Sequence, residues 1–213
     1  MNLVDDFFEY LGILLLLVNT VLYLKSYSNY KDTIALKYFS WYLLGICAIQ
    51  VIGIVFAHYR INNLYLSHLY FWIQLIMLAV FYRNLFEQNQ KKYISIVIGS
   101  VSIILIIQYL IKPHLFFKFN TLEIFITTFP LVVFSMIHLY NSLSKKGKFM
   151  YINAGILIYL TTSTLIYILG NYLASYKSEL ITHIWFLNKV LYVIYMSLIL
   201  IEWKTNILPL KNK

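Results

Sequence analysis

The sequence predicts an all-α membrane protein, a bundle of seven transmembrane helices, and three observations carry that class. Seven apolar stretches, each of about 20 residues, recur along the 213-residue chain, and about 20 apolar residues are what a helix needs to cross a bilayer. The chain is 61% hydrophobic and only 12% charged, where a soluble domain carries about 25% charge. Its basic residues also gather in alternate connections, as the loops on one side of a membrane do. The apolar runs are continuous and do not alternate with polar residues, which excludes the strands of a transmembrane barrel.

The first span is expected over 7–24; the acidic leader Met-Asn-Leu-Val-Asp-Asp is unlike the basic start of a cleavable signal, so this helix should be retained. The second, 38–57, contains Cys47, the single cysteine, which leaves no intrachain disulfide. The third, 63–82, opens with His68 and contains Gln74. The fourth covers 93–111, and the fifth, 121–140, carries Glu123 near its start and Pro130 at mid-helix, where a missing N–H and ring crowding bend a helix. The sixth is placed over 150–173 and the seventh over 183–203. No connection is long enough for a soluble domain, the longest being 25–37, so residues 1–213 read as one transmembrane domain.

Orientation follows from the basic residues. One side holds Lys25, Lys31, Lys37, Arg83, Lys91, Lys92, Lys145, Lys146, Lys148, Lys204, Lys211 and Lys213; the other holds Arg60, Lys112, Lys118 and Lys177. Twelve against four predicts an outer N-terminus and a cytoplasmic C-terminus. The net charge of +9 is then mainly topological charge facing anionic lipid, with no nucleic-acid partner implied. Tyrosines near span ends, such as Tyr10, Tyr38, Tyr82, Tyr93, Tyr140 and Tyr172, read as interfacial anchors.

A faint repeat suggests two parallel three-helix units joined by the fourth helix. Ser67-His68-Leu69-Tyr70-Phe71-Trp72-Ile73-Gln74 aligns with Thr182-His183-Ile184-Trp185-Phe186-Leu187-Asn188-Lys189, and Lys37 to Gly45 lies on Lys148 to Gly155 with a one-residue shift. Glu9 and Glu123 open the first and fifth spans. Parallel repeats of this kind occur in some transporters.

Polar groups inside spans cost free energy, and here they collect in the outer half. Lys189, Asn188, Tyr192, Trp185, His68, Gln74, Glu123 and Glu9 are the candidate ligand-binding set, lining a pocket that opens outward. Lys189 is the most costly of them, either snorkelling to the headgroups or serving as counter-charge to an anionic ligand, Glu9 or Glu123. Trp185, Lys189, Tyr192 and Met196 share one helical face. A retinal site is disfavoured, because the third span has no Asp or Glu as counterion. His58, His68 and His183 are weak metal candidates, lacking ligand spacing, and no metal or other cofactor is expected. No H-E-x-x-H, G-x-S-x-G, phosphate-binding glycine loop or C-x-x-C occurs, which points away from an enzyme.

Asn63-Leu64-Tyr65-Leu66-Ser67-His68-Leu69-Tyr70, Asn153-Ala154-Gly155-Ile156-Leu157-Ile158-Tyr159, Ile184-Trp185-Phe186-Leu187-Asn188 and Ile201-Glu202-Trp203 resemble a group of short seven-span bacterial proteins, mostly uncharacterised, often encoded beside sensor kinases or response regulators. The resemblance implies a sensory role by association. The expectation is a non-enzymatic receptor or sensor that signals through a separate cytoplasmic partner touching Lys145, Lys146 and Lys148; the alternatives are a small-molecule or ion transporter and a structural subunit of a membrane complex.

Overall fold

The computed structural model describes residues 3–29, 34–144, 147–175 and 180–209. Seven helices in it are long and apolar enough to cross a membrane: α1 (Leu3–Asn29), α2 (Ile34–His58), α3 (Tyr65–Leu85), α4 (Gln88–Ile111), α5 (Thr121–Ser144), α6 (Met150–Ser175) and α7 (Leu180–Glu202). A 3-10 turn, Pro113–Phe117, follows α4, and a π-helical turn, Trp203–Ile207, extends α7. Most helices outrun their apolar spans, since backbone hydrogen bonding continues after the side chains turn polar. α1 gains its first turn this way, with Asp5 and Asp6 at the positive end of the helix dipole. These two aspartates, expected before the first span, therefore belong to the helix.

Six helices close a ring in the order α1, α2, α3, α5, α6, α7, with α7 returning to α1. α4 stands outside, mainly against α3, with smaller contacts to the 3-10 turn and α5. Its sequence explains that position: Ile94, Val101 and Leu105 form one buried stripe, while Ile96, Ile103, Ile104, Ile106 and Ile107 are exposed. Exposed aliphatics also coat α1, α2 and α6, at Leu14, Val21, Ile54 and Leu165, as expected where lipid is the solvent.

The half of the ring toward the α1 C-terminus is packed solid. Phe39, Tyr42, Leu43, Ile46, Phe81, Tyr82, Tyr195, Met196 and Ile199 are all at most 1% exposed. Buried polar groups stitch this layer together. Asn19 Nδ2 donates to the Met196 carbonyl at 2.8 Å, and the Tyr23 hydroxyl to that of Ile199 at 2.9 Å, joining α1 to α7. Asn153 joins three helices: its Oδ1 accepts from the Tyr82 hydroxyl of α3 and the Ser135 hydroxyl of α5, each at 2.9 Å. Tyr82 is thus a core residue and not an interfacial anchor, a correction made by the Asn153 amide, which gives its hydroxyl a partner away from water. Glu202, fully buried, accepts the Tyr151 N–H at 2.8 Å, a carboxylate set against the start of α6.

The most extensive contacts, α2 on α3 and α6 on α7, each contain a glycine that admits a neighbouring side chain. A Cβ on Gly45 would lie 2.8 Å from Ile73 Cγ2, and one on Gly155 would lie 2.7 Å from Tyr195 Cδ2. The Tyr195 ring cannot yield, being stacked at 5.1 Å on Tyr159 and hydrogen-bonded to Tyr42. Gly155→Ala is therefore expected to destabilise by about 1–3 kcal/mol through overpacking. Gly99→Ala, whose Cβ meets nothing within 4 Å, should stabilise slightly by favouring the helix. Thermal unfolding of both variants in detergent checks the contrast.

Candidate functional site

Toward the α1 N-terminus the ring opens into a cavity of about 320 Å³. α1 supplies Phe8 and Glu9, α2 Gln50, α3 Tyr70, α6 Tyr159 and Tyr167, and α7 Asn188, Lys189 and Tyr192. Helical spacing orders the α7 residues by depth: Lys189 at the mouth, Tyr192 one turn deeper, and Tyr195 in the packed layer below, about 9 Å beneath Lys189. Tyr159 stacks on Tyr195, and Tyr195 donates to the Tyr42 hydroxyl at 3.3 Å. This ladder of tyrosines forms the cavity floor.

Lys189 Nζ lies 2.7 Å from Asp5 Oδ2 and 2.7 Å from Glu9 Oε2. The lysine is about a quarter exposed and the carboxylates are more open, so this cluster shuts α1 against α7 at the water-accessible end and contributes little to stability. Within the cavity lining, Asn188 Oδ1 and Tyr192 Oη are buried without a hydrogen-bond partner, and such atoms are costly in a protein interior.

A second cavity of about 590 Å³ shares Gln50, Tyr70 and Tyr167 with the first. Phe71, Phe119 and Trp185 give it an apolar wall, so the two form adjoining lobes. Trp185 belongs to this second lobe, placed there by a helical turn between it and Lys189.

His68 and Glu123 form a separate site across the α3–α5 seam. His68 is 3% exposed and Glu123 1% exposed, and His68 Nδ1 meets Glu123 Oε2 in a direct contact. The other ring nitrogen, Nε2, lies 3.0 Å from the Phe116 carbonyl and must donate to it, since a carbonyl oxygen only accepts. Tyr109 donates to Glu123 Oε2 at 2.7 Å and accepts from Asn120 Nδ2 at 3.1 Å. One proton consequently sits between His68 Nδ1 and Glu123, and the pair is neutral overall whether it rests on nitrogen or oxygen. Asn120 positions the carboxylate: as N-cap of α5 it accepts the Glu123 N–H through Oδ1 at 3.3 Å, while its amide exchanges hydrogen bonds with Gln108.

The candidate set thus divides. Glu9, Asn188, Lys189 and Tyr192 meet at the first lobe and Trp185 lines the second. Glu123 is not a partner of Lys189; it lies across the bundle, held by His68. Gln74 is buried, one turn from Tyr70 on α3, and lines neither lobe; its Oε1 has no partner. Among the described residues no three His, Cys, Asp or Glu groups converge to hold a metal, so His58 and His183, both exposed, do not join His68 in a site. Residues missed by sequence reasoning are Asp5, Tyr70, Tyr159, Tyr167 and the Tyr109–Asn120 network. A signal for the tyrosines existed, because Tyr70, Tyr159 and Tyr167 lie inside their spans and not at the ends where anchors belong.

At the opposite end, Asn84, Glu87, His138, Asn141, Ser142 and Lys148 line a groove of about 340 Å³ between the α3–α4 and α5–α6 connections. His138 Nε2 donates to the Lys148 carbonyl at 2.9 Å, and Gln90 and Asn141 exchange amide hydrogen bonds at 2.9 and 3.5 Å. Lys145 and Lys146 lie outside the described residues. The chain matches no known family model, no curated protein and no solved structure. The functional reading therefore rests on geometry.

Proposed function

We propose that this protein is a non-enzymatic receptor or sensor of a bacterial inner membrane, with the two-lobed cavity facing outward and a separate cytoplasmic protein carrying the output. The carrying observation is the contrast between the cavity at one end of the ring, where Asn188 Oδ1 and Tyr192 Oη line it or lie beside it without partners, and the closely packed layer beneath it. A ligand that satisfies Asn188 and Tyr192 bears on α7, and the Asn19 and Tyr23 bonds tie α7 rigidly to α1 across the packed layer. Lys148, which lines the groove at the other end, together with Lys145 and Lys146, which lie outside the described residues, is the proposed partner contact, complementary to an acidic face.

A transporter is the second reading, and the ring order favours it. α1–α2–α3 and α5–α6–α7 each pack in sequence and meet at two seams, α3 on α5 and α7 on α1, as two parallel repeats would. The Gly45 and Gly155 contacts join corresponding helix pairs of the two halves, α2 to α3 and α6 to α7, and an acid–base pair lies near the same end of each seam. Extraction in gentle detergent separates the readings. Recovery of a cytoplasmic signalling protein, lost on Lys145→Glu/Lys146→Glu/Lys148→Glu, supports the receptor; recovery of the chain alone, with substrate flux in proteoliposomes, supports the carrier.

Orientation is tested separately in a Cys47→Ala background. Tyr59→Cys, at the end where α2 meets α3, should react with an impermeant thiol reagent added to intact cells, and Asn89→Cys, at the start of α4, should react only after permeabilisation. The reverse pattern would turn the cavity toward the cytoplasm.

A further inference from the structure

We propose that the cavity between α1, α2, α3, α6 and α7 binds a small primary amine in its ammonium form, with the amine's apolar group lodged in the second lobe. This names the ligand class for the cavity that the receptor reading uses, and rests on that reading for its biological role only.

Three independent features of the lining point to a cation. The first is charge: Lys189 is shared by Asp5 and Glu9, two carboxylates against one ammonium, leaving one net negative charge at the mouth. An anionic ligand would have to displace one carboxylate from Lys189 and then face both, whereas a cation meets Glu9 and Lys189 together at the cavity wall, with Asp5 on the same ammonium adding the net negative charge. The second is hydrogen bonding. Asn188 Oδ1 is a pure acceptor, and with Tyr192 Oη, which accepts equally well, it is buried and unpartnered. An N–H donor satisfies Asn188 Oδ1, which a carboxylate would repel, while the Tyr192 hydroxyl can serve either ligand as acceptor or donor.

The third is the wall itself. Tyr70, Tyr159, Tyr167 and Tyr192 bring four aromatic rings to one cavity, and the faces of such rings attract cations through their quadrupoles. At about 320 Å³ the first lobe is near the lower limit of ligand sites, about 300 Å³, which suits an ammonium head. The adjoining lobe, walled by Phe71, Phe119 and Trp185, offers apolar surface to whatever the head carries. A quaternary ammonium has no N–H for Asn188, and a primary ammonium, with three, can serve Asn188, Tyr192 and Glu9 together, which is why the assignment is to a primary amine.

Binding to the purified full chain by calorimetry, with benzylamine, benzyl alcohol and benzoate as probes of one shape and three charges, tests the assignment. Benzylamine should bind saturably and about tenfold tighter than either analogue. Asn188→Leu should weaken it about tenfold, and Tyr192→Phe, which keeps the ring, serves as a second variant should the leucine disturb folding. Lys189→Met, which makes the mouth more negative, should tighten benzylamine roughly fivefold. Preference for benzoate, abolished by Lys189→Met, would overturn the amine assignment while keeping the cavity as a ligand site. Failure of all three probes to saturate would also overturn it. Benzylamine binding by a chain that recovers no cytoplasmic partner would leave the amine site standing and overturn the receptor reading.

Discussion

His68→Leu is expected to lower the stability of the bundle by about 3–5 kcal/mol, the cost of leaving one member of a buried acid–base pair without the other. Glu123 has no route to water at 1% exposure, and its Oε1 already lacks a partner. Removal of the imidazole also takes away the donor to the Phe116 carbonyl and the ring stacked on Phe116 at 5.3 Å, so the 3-10 turn after α4 loosens with it. The double variant His68→Leu/Glu123→Leu should regain most of the loss, because an apolar pair of similar volume carries no charge to desolvate. Reversible unfolding in mixed micelles measures both. A double variant no more stable than His68→Leu alone would show that the contribution comes from ring packing and not from the shared proton.

Asn153→Leu is the second large effect, expected at about 2–4 kcal/mol. Interhelical hydrogen bonds in membrane proteins contribute only about 0.6 kcal/mol each, but this residue serves two donors from two other helices, and its removal strips the buried Tyr82 hydroxyl of its acceptor and leaves Ser135 only the residue 153 carbonyl, at 3.1 Å. Its own Nδ2 also donates to the Ser135 carbonyl at 3.2 Å. Ser197→Ala provides the contrast, since Ser197 Oγ bonds only the Val193 carbonyl of its own helix at 2.8 Å, and its loss should change stability by less than about 0.5 kcal/mol. Equal effects at the two positions would deny Asn153 its role as the junction of α3, α5 and α6.

These two sites differ in how readable they were. Asn153 stood out as a polar residue in an apolar run, and a hydrogen bond between helices was its natural use. His68 and Glu123 stood out equally, yet both were assigned to a pocket with Lys189. A charge in a span advertises that it needs a partner without saying which one. Lys189 had Glu9 and Glu123 as rivals by depth, and its choice of Glu9, joined by Asp5, followed from α7 closing the ring against α1. Tyr82 and Tyr140 looked alike as tyrosines near span ends; one is fully buried and the other 74% exposed.

The seven spans and their lengths were legible from local composition, because a bilayer imposes one apolar length on every helix irrespective of its neighbours. The exposed faces of α4 and the buried stripe through Ile94, Val101 and Leu105 follow the same local logic of spacing. Which helices meet was not legible, since leucine and isoleucine in lipid attract any apolar neighbour equally and carry no address. Assembly decided that α4 would stand outside, that α7 would close on α1, and that tyrosines from α3, α6 and α7 would surround one cavity. Close approach at Gly45 and Gly155 and a few buried hydrogen bonds select that arrangement, and both are properties of paired surfaces that no single segment displays.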